Sequence, residues 1–222
     1  MMRSRANATG RHYLRLAKHY RDRVLTHGDT AAGMDWPSAR DNQRRFDVML
    51  DLFADTIRRG KRKPRVLDFA CGASHFYEFL RERRLERSIV YTGIDIVDES
   101  ISLSRAKYPM NKYLTIDVLA DPAPLPAADF AVINGLFTQK RGMTDAQMKA
   151  FLSAILKRVF PAVRSALAFN TMSAQVDYKR RGAFHVDLDW MARFLSRHVS
   201  RNFIVRHDYG LFESTFYVYR AS

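Results

Sequence analysis

The hydrophobic pattern changes rhythm near Pro64. Before it, "HYLRLAKHYRDRVLTHG" (12–28) spaces apolar residues as a helix does and stops at Gly28, a usual helix terminus. A loop around Gly33, Trp36 and Pro37 follows, and a second helix is predicted to run to about Gly60 with Ser38 as its N-cap. After Pro64, short apolar runs alternate with helical ones. "RVLDFA", "SIVYTGID", "KYLTID", "DFAVIN" and "SALAFNTM" read as strands, and the helices fall in "SHFYEFLRERR", "DESISLSRAKY", "DAQMKAFLSAILKRVF" and "DLDWMARFLSRHV". The last stretch, "NFIVRHDYGLFESTFYVYR", holds two β-rich runs around Asp208, Tyr209 and Gly210. Such alternation predicts an α/β fold: a mostly parallel seven-stranded sheet, helices on both faces, and an antiparallel terminal hairpin.

Composition narrows the class. At 222 residues the chain suits one full domain with a small decoration, and its 47% hydrophobic content argues against disorder. No apolar run approaches the ~20 residues of a membrane span. The basic start, "MMRSRANATGRHYLRL", lacks the apolar core of a secretory signal, and the single cysteine, Cys71, makes no internal disulfide. A cytoplasmic protein with no metal site is expected.

Lys and Arg number 37 against 23 Asp and Glu, a formal charge of +14. Nucleic acid, an acidic substrate or a solvated surface would each fit. The basic residues are scattered over Arg3 to Arg23, Arg40 to Arg65, Arg81 to Arg87 and Lys179 to Arg181, with no aromatic-basic alternation. That distribution favours the solvated surface.

In open α/β sheets ligands bind outside the carboxyl ends of the strands. Here those ends are polar: Asp68 before "FACGAS", Asp95 after "YTGI", Asp117 after "YLTI", Asn134 in "INGLFT" and Asn170 in "AFNTMS". One alone would be a cap or turn residue. Asp95 is placed to accept hydrogen bonds from both hydroxyls of a ribose, the alternative being an N-cap for "VDESI". Asp117 and Val118 sit where a carboxylate and an amide would hold an adenine amino group. The turn after the first strand keeps only Gly72, too few glycines for a pyrophosphate-binding turn.

With these motifs, about Pro64 to Arg220 resembles the class I S-adenosylmethionine-dependent methyltransferases. "DFACGASHFYEFL", "NGLFTQK", "AFNTMS" and "RHDYGLFESTFYVYR" are similar to a group of bacterial small-molecule methyltransferases. The resemblance implies a Rossmann-like domain over residues 61–222, S-adenosylmethionine as cofactor, and methyl transfer to an O or N atom of a small molecule. It places Asp68 and Gly72 by the methionine part, Asp95 at the ribose, Asp117 and Val118 at the adenine, and Asn134 near the methyl group as a catalytic residue, with Ala70 and Ile96 also among the cofactor-binding residues. Ala70 stands where such enzymes usually have glycine. Residues 1–60 would form a helical cap over the cofactor, with Trp36 shielding it and Arg45 pairing with its carboxylate; core and surface roles are the alternatives.

On the acceptor side, His185 is the expected general base, since imidazole titrates near neutrality and the residue precedes the helix after the fifth strand. His207, Asp208, Tyr209 and Glu213 cluster at the hairpin. The alternative function is methylation of an exocyclic amine in nucleic acid, because Asn134 and Phe137 bracket "NGLF" as in such enzymes. Gly135-Leu136 departs from the proline usual there.

Overall fold

The computed structural model describes residues 10–36 and 38–221. Pro37 and the start of the basic segment at Arg3 lie outside them. The helices α1 Leu14–His27, α2 Ala39–Asp51 and α3 Ala54–Arg59 lead into β1 Arg65–Phe69, α4 His75–Glu82, β2 Val90–Asp95, α5 Asp98–Lys107, β3 Lys112–Thr115 and β4 Ala128–Phe137. The chain continues through α6 Asp145–Val159, β5 Val163–Ser173, β6 His185–Val186, α7 Leu188–His198, β7 Phe203–Arg206 and β8 Glu213–Tyr219. Strand order is β3-β2-β1-β4-β5-β8-β7, with the two-residue β6 beside β5. All pairs are parallel except β5 with β8 and β8 with β7. The predicted seven-stranded sheet is therefore present, and its terminal hairpin inserts β8 inside the sheet and leaves β7 at the edge. β6 is too short to leave a pattern in sequence.

Strand alternation divides the core between the two faces. Leu67, Phe69, Ile94, Ile133, Phe169 and Phe216 pack toward α6 and α7, while Val66, Tyr91, Phe130, Val132 and Tyr217 pack toward α2, α4 and α5. Caps fix the helix starts. Ser38 accepts from the Asp41 amide, Asp187 from the Trp190 amide, and Thr144 with Gln147 closes a capping box on α6.

The single helix expected from Ser38 to Gly60 is two helices. Phe53 leaves helical geometry and is fully buried, its ring 5.8 Å from Phe130 and 6.4 Å from Phe76. Burying one such ring stabilises by about 1.5–3 kcal/mol, more than the helical turn it interrupts. α2 also belongs to a core layer: Phe46, Val48 and Met49 join the sheet's own cluster, and the Tyr217 hydroxyl donates to the Val48 carbonyl. α1 and the loop through Trp36 cover the strand ends, with Arg45 and Phe46 of α2 beside them. Among the described residues no helix is long and apolar enough to cross a membrane.

Candidate functional site

A cavity of about 610 Å³ opens over the carboxyl ends of β1, β2 and β4, where ligands sit in open α/β sheets. The strand ends form its floor, and α1 with the following loop forms its roof, through Tyr13, Leu16, Tyr20, Arg23, Met34 and Trp36.

The floor is locked by backbone hydrogen bonds. Asp95 accepts from the Gly72 amide (Oδ2, 2.9 Å) and the Val97 amide (Oδ1, 2.9 Å), so it ties the turn after β1 to the end of β2. Each oxygen keeps a second lone pair. Burial raises the Asp95 pKa, against the pull of those two amides. The turn winds tightly: Ala70 (φ 60°), Gly72 (φ 53°) and Ser74 (φ 63°) are all left-handed. A Cβ on Gly72 would lie 3.0 Å from Met34 Sδ in the roof. From α5, the Ser104 hydroxyl supports the turn by donating to the Gly72 carbonyl at 3.0 Å. Cys71 fills space beneath it, with burial pushing its thiol pKa well up.

Asp68 is buried and accepts the Tyr91 hydroxyl at 2.6 Å. Burial, helped by nearby Asp95 and opposed by Tyr91, pushes its pKa up to about 7. Asp117 accepts from the Leu119 and Ala120 amides with Oδ1 and from the Tyr13 hydroxyl with Oδ2, the last at 2.8 Å. Burial and that carboxylate push the Tyr13 phenol up to about 12, so it stays protonated as donor. Ile96 and Val118 complete the floor.

At the end of β4 the register shifts and Gly135 turns left-handed (φ 81°). A Cβ there would meet the Trp36 ring at 2.8 Å, so the roof indole rests directly on this backbone. Asn134 beside it lines the cavity, and neither its Oδ1 nor its Nδ2, both buried, has a partner among the described residues. Behind it runs a buried polar chain. The Gly135 amide donates to Asn170 Oδ1 (2.7 Å), Asn170 Nδ2 to Glu213 Oε2 (2.7 Å), and Arg45 Nε to both Glu213 oxygens (2.9 and 3.0 Å). Arg45 also lies 5.4 Å from the Trp36 ring, while its buried Nη1 is unpartnered.

Most of the residues expected from sequence therefore line one cavity: Trp36, Arg45, Asp68, Ala70, Gly72, Asp95, Ile96, Asp117, Val118 and Asn134. Two expectations are corrected. Asn170 is fully buried and braces β4 instead of facing a ligand. His185 is not part of the lining, and both its nitrogens are engaged: Nδ1–H donates to the Ser173 carbonyl (2.7 Å) and Nε2 accepts from the Arg180 amide (3.1 Å). No ring nitrogen remains to take a proton, so the general-base role is withdrawn. The hairpin cluster also divides, Glu213 turning inward and Asp208 pairing with Arg206 at the surface.

Tyr13, Asp35 and Arg141 were not anticipated. Asp35, itself left-handed (φ 58°), gathers His19 and Arg23 of α1 and Arg141 from the loop after β4. Asp29 holds the other end of the roof loop to His75 (2.8 Å) and Lys107 (2.7 Å). Partners so distant in sequence leave no local spacing to read.

No protein-family model matches the chain. It is 26% identical over 157 residues to the Mycobacterium tuberculosis protein "Putative methyltransferase Rv1506c", covering 70% of this chain and 92% of that one. Among solved structures it is similar to magnesium protoporphyrin IX methyltransferase from Synechocystis PCC 6803 with bound SAM, with a TM-score of 0.61 at 14% identity over the whole of both chains. It is also similar to human N-acetylserotonin methyltransferase in complex with SAM, with a TM-score of 0.58 at 15% identity over 97% of this chain and 68% of that one. The fold is that of class I methyltransferases, as the sequence resemblance implies.

Proposed function

We propose that this chain is an S-adenosylmethionine-dependent methyltransferase acting on an O or N atom of a small molecule. One observation carries the reading: Asp68, Asp95 and Asp117 end successive strands around a single roofed cavity, with the Gly72 turn between them. Both the relative and the structural neighbours bear methyltransferase names, in keeping with it.

The residues present fit the cofactor. Asp95 has lone pairs left for two ribose hydroxyls, and Val118 with Asp117 borders the adenine end. The unpartnered Nη1 of Arg45 supplies a donor for a carboxylate, and a buried donor left without an acceptor loses free energy of about 1–3 kcal/mol. Asp68, once ionised, neutralises a cationic amino group. When bound, S-adenosylmethionine would supply an activated methyl group on positive sulfur for an acceptor lone pair, with S-adenosylhomocysteine as the leaving group. The chain's share is to position and dehydrate. Trp36 on Gly135 closes the roof over Asn134, whose free Oδ1 and Nδ2 orient the acceptor.

Nothing in the neighbours' names favours the alternative, methylation of nucleic acid. Titration calorimetry tests the cofactor: tight binding of S-adenosylmethionine and S-adenosylhomocysteine with none of a nicotinamide dinucleotide is expected, and the reverse preference overturns the class. Labelled methyl transferred to a small-metabolite extract rather than to RNA or DNA tests the acceptor class.

A further inference from the structure

Charge is divided unevenly along the cavity. The floor under the proposed cofactor is acidic, through Asp68, Asp95 and Asp117. Beyond Asn134 the rim is basic, with Arg141 from the loop after β4 and Arg180 from the loop after β5. The two loops are joined: Lys140 N–H donates to the Gly182 carbonyl at 2.8 Å, and Gln139 bridges to Ala183. His185, tied to Ser173 and to the Arg180 amide, holds the second loop in place.

Every carboxylate on the cavity wall already has partners. Asp68 has Tyr91, Asp95 two amides, Asp117 Tyr13 and two amides, Glu213 Arg45 and Asn170, and Asp35 three basic side chains. Apart from Arg45 Nη1, assigned above to the cofactor carboxylate, the unsatisfied buried groups on the same wall are the donors Arg141 Nε and Asn134 Nδ2 and the acceptor Asn134 Oδ1. Arg180 has no ion-pair partner among the described residues, although its side chain borders the cavity. The positive field is felt nearby, since burial first and then Arg141 and Arg23 lower the His19 pKa.

We infer that the methyl acceptor is a small anion, carrying a carboxylate or similar oxyacid group that Arg141 and Arg180 receive at the rim. A cationic acceptor would meet the uncompensated guanidinium of Arg180 and no uncommitted carboxylate. A neutral one could accept from Arg141 Nε but would leave the Arg180 charge without a counter-charge. The inference rests on the proposed function, because it assigns the other half of the cavity to the cofactor. Nucleic acid would also suit a basic rim, but the roof of α1 and Trp36 encloses the transfer point, and a small molecule fits beneath it.

The test uses the full chain saturated with S-adenosylhomocysteine, whose binding is established first by calorimetry; failure at that stage sinks the cofactor reading and this inference with it, whereas failure at the next stage sinks this inference alone. Thermal shift is then measured with acetate, benzoate and inorganic phosphate, against acetamide and benzamide as neutral matches, and with a short RNA oligonucleotide. At least one carboxylate or phosphate should raise the melting temperature where its neutral match does not. Arg180→Ser should abolish that shift and Arg180→Lys retain part of it, the S-adenosylhomocysteine affinity being unchanged in both. Arg180 is exposed, so neither variant threatens folding. Equal or absent shifts for anions and their neutral matches, or anion shifts indifferent to Arg180, overturn the inference. RNA binding tighter than any small anion, falling steeply with salt, also overturns it, in favour of a polymer substrate.

Discussion

The floor and the roof of the cavity are held by different forces. The floor is fixed by backbone amides on part-buried carboxylates: Gly72 and Val97 on Asp95, Leu119 and Ala120 on Asp117. The roof is fixed by ion pairs between part-exposed side chains, Asp29 with His75 and Lys107, and Asp35 with His19, Arg23 and Arg141. Hydrogen bonds from fixed backbone amides to a carboxylate are worth more than ion pairs between flexible side chains near water, and salt screens the second kind more strongly. A rigid floor under a loosely clasped roof lets a cofactor enter and then be covered.

The largest effect should come from breaking the floor. Asp95→Ala removes the tie to Gly72 together with the proposed ribose contacts, and S-adenosylmethionine affinity should fall by about 1.5–3 kcal/mol, roughly tenfold to a hundredfold or more. Calorimetry returning wild-type affinity would remove that assignment.

Asp68 gives the floor a pH dependence. Its pKa of about 7 lies above the ordinary aspartate value, so the unfolded chain releases this proton first. The group's contribution to stability is complete below the ordinary value, falls as pH rises toward 7, and is flat above. Cofactor affinity should run the other way and climb between pH 6 and 8, as ionised Asp68 attracts a cationic amino group. Asp68→Asn should flatten both profiles, and an unchanged affinity slope in that variant would count against Asp68 as the group concerned.

Breaking the roof should matter less and depend on salt. Asp35→Asn should weaken cofactor binding by up to about 1 kcal/mol at low ionic strength, with most of the difference gone in high salt, whereas the Asp95→Ala loss persists there. An equal salt response in the two variants would erase the distinction between floor and roof.

The smallest effect concerns Ala70. A left-handed alanine is strained by about 1–2 kcal/mol, and glycine gives back about 0.5–1 kcal/mol through greater freedom in the unfolded chain. Ala70→Gly should therefore stabilise by about 0.5–1 kcal/mol, seen as a higher melting temperature. A lower one would show that the methyl group packs favourably enough to offset its strain.

The same division explains what could be read in advance. Floor residues sit at strand ends, where apolar runs give way to Asp68, Asp95, Asp117 and Asn134 at intervals that the alternating pattern reveals. The mostly parallel sheet and its antiparallel last strand follow from the same pattern and the class resemblance. The roof was only partly legible. Trp36 and Arg45 could be singled out, but Tyr13 on Asp117 joins residues 104 apart and Arg141 on Asp35 joins residues 106 apart. His185 misled for a related reason: a histidine after the fifth strand looks like a base until its two backbone partners are seen. The break at Phe53 was hidden because burial, and no glycine or proline, ends α2.

Hydrogen–deuterium exchange with and without S-adenosylhomocysteine tests the central claim most directly, that a cofactor lies between the strand ends and α1. The account predicts protection in four segments together: 14–36 in the roof, and 70–74, 95–97 and 117–120 in the floor. No protection on adding the ligand, or protection confined to segments away from these strand ends, would contradict it.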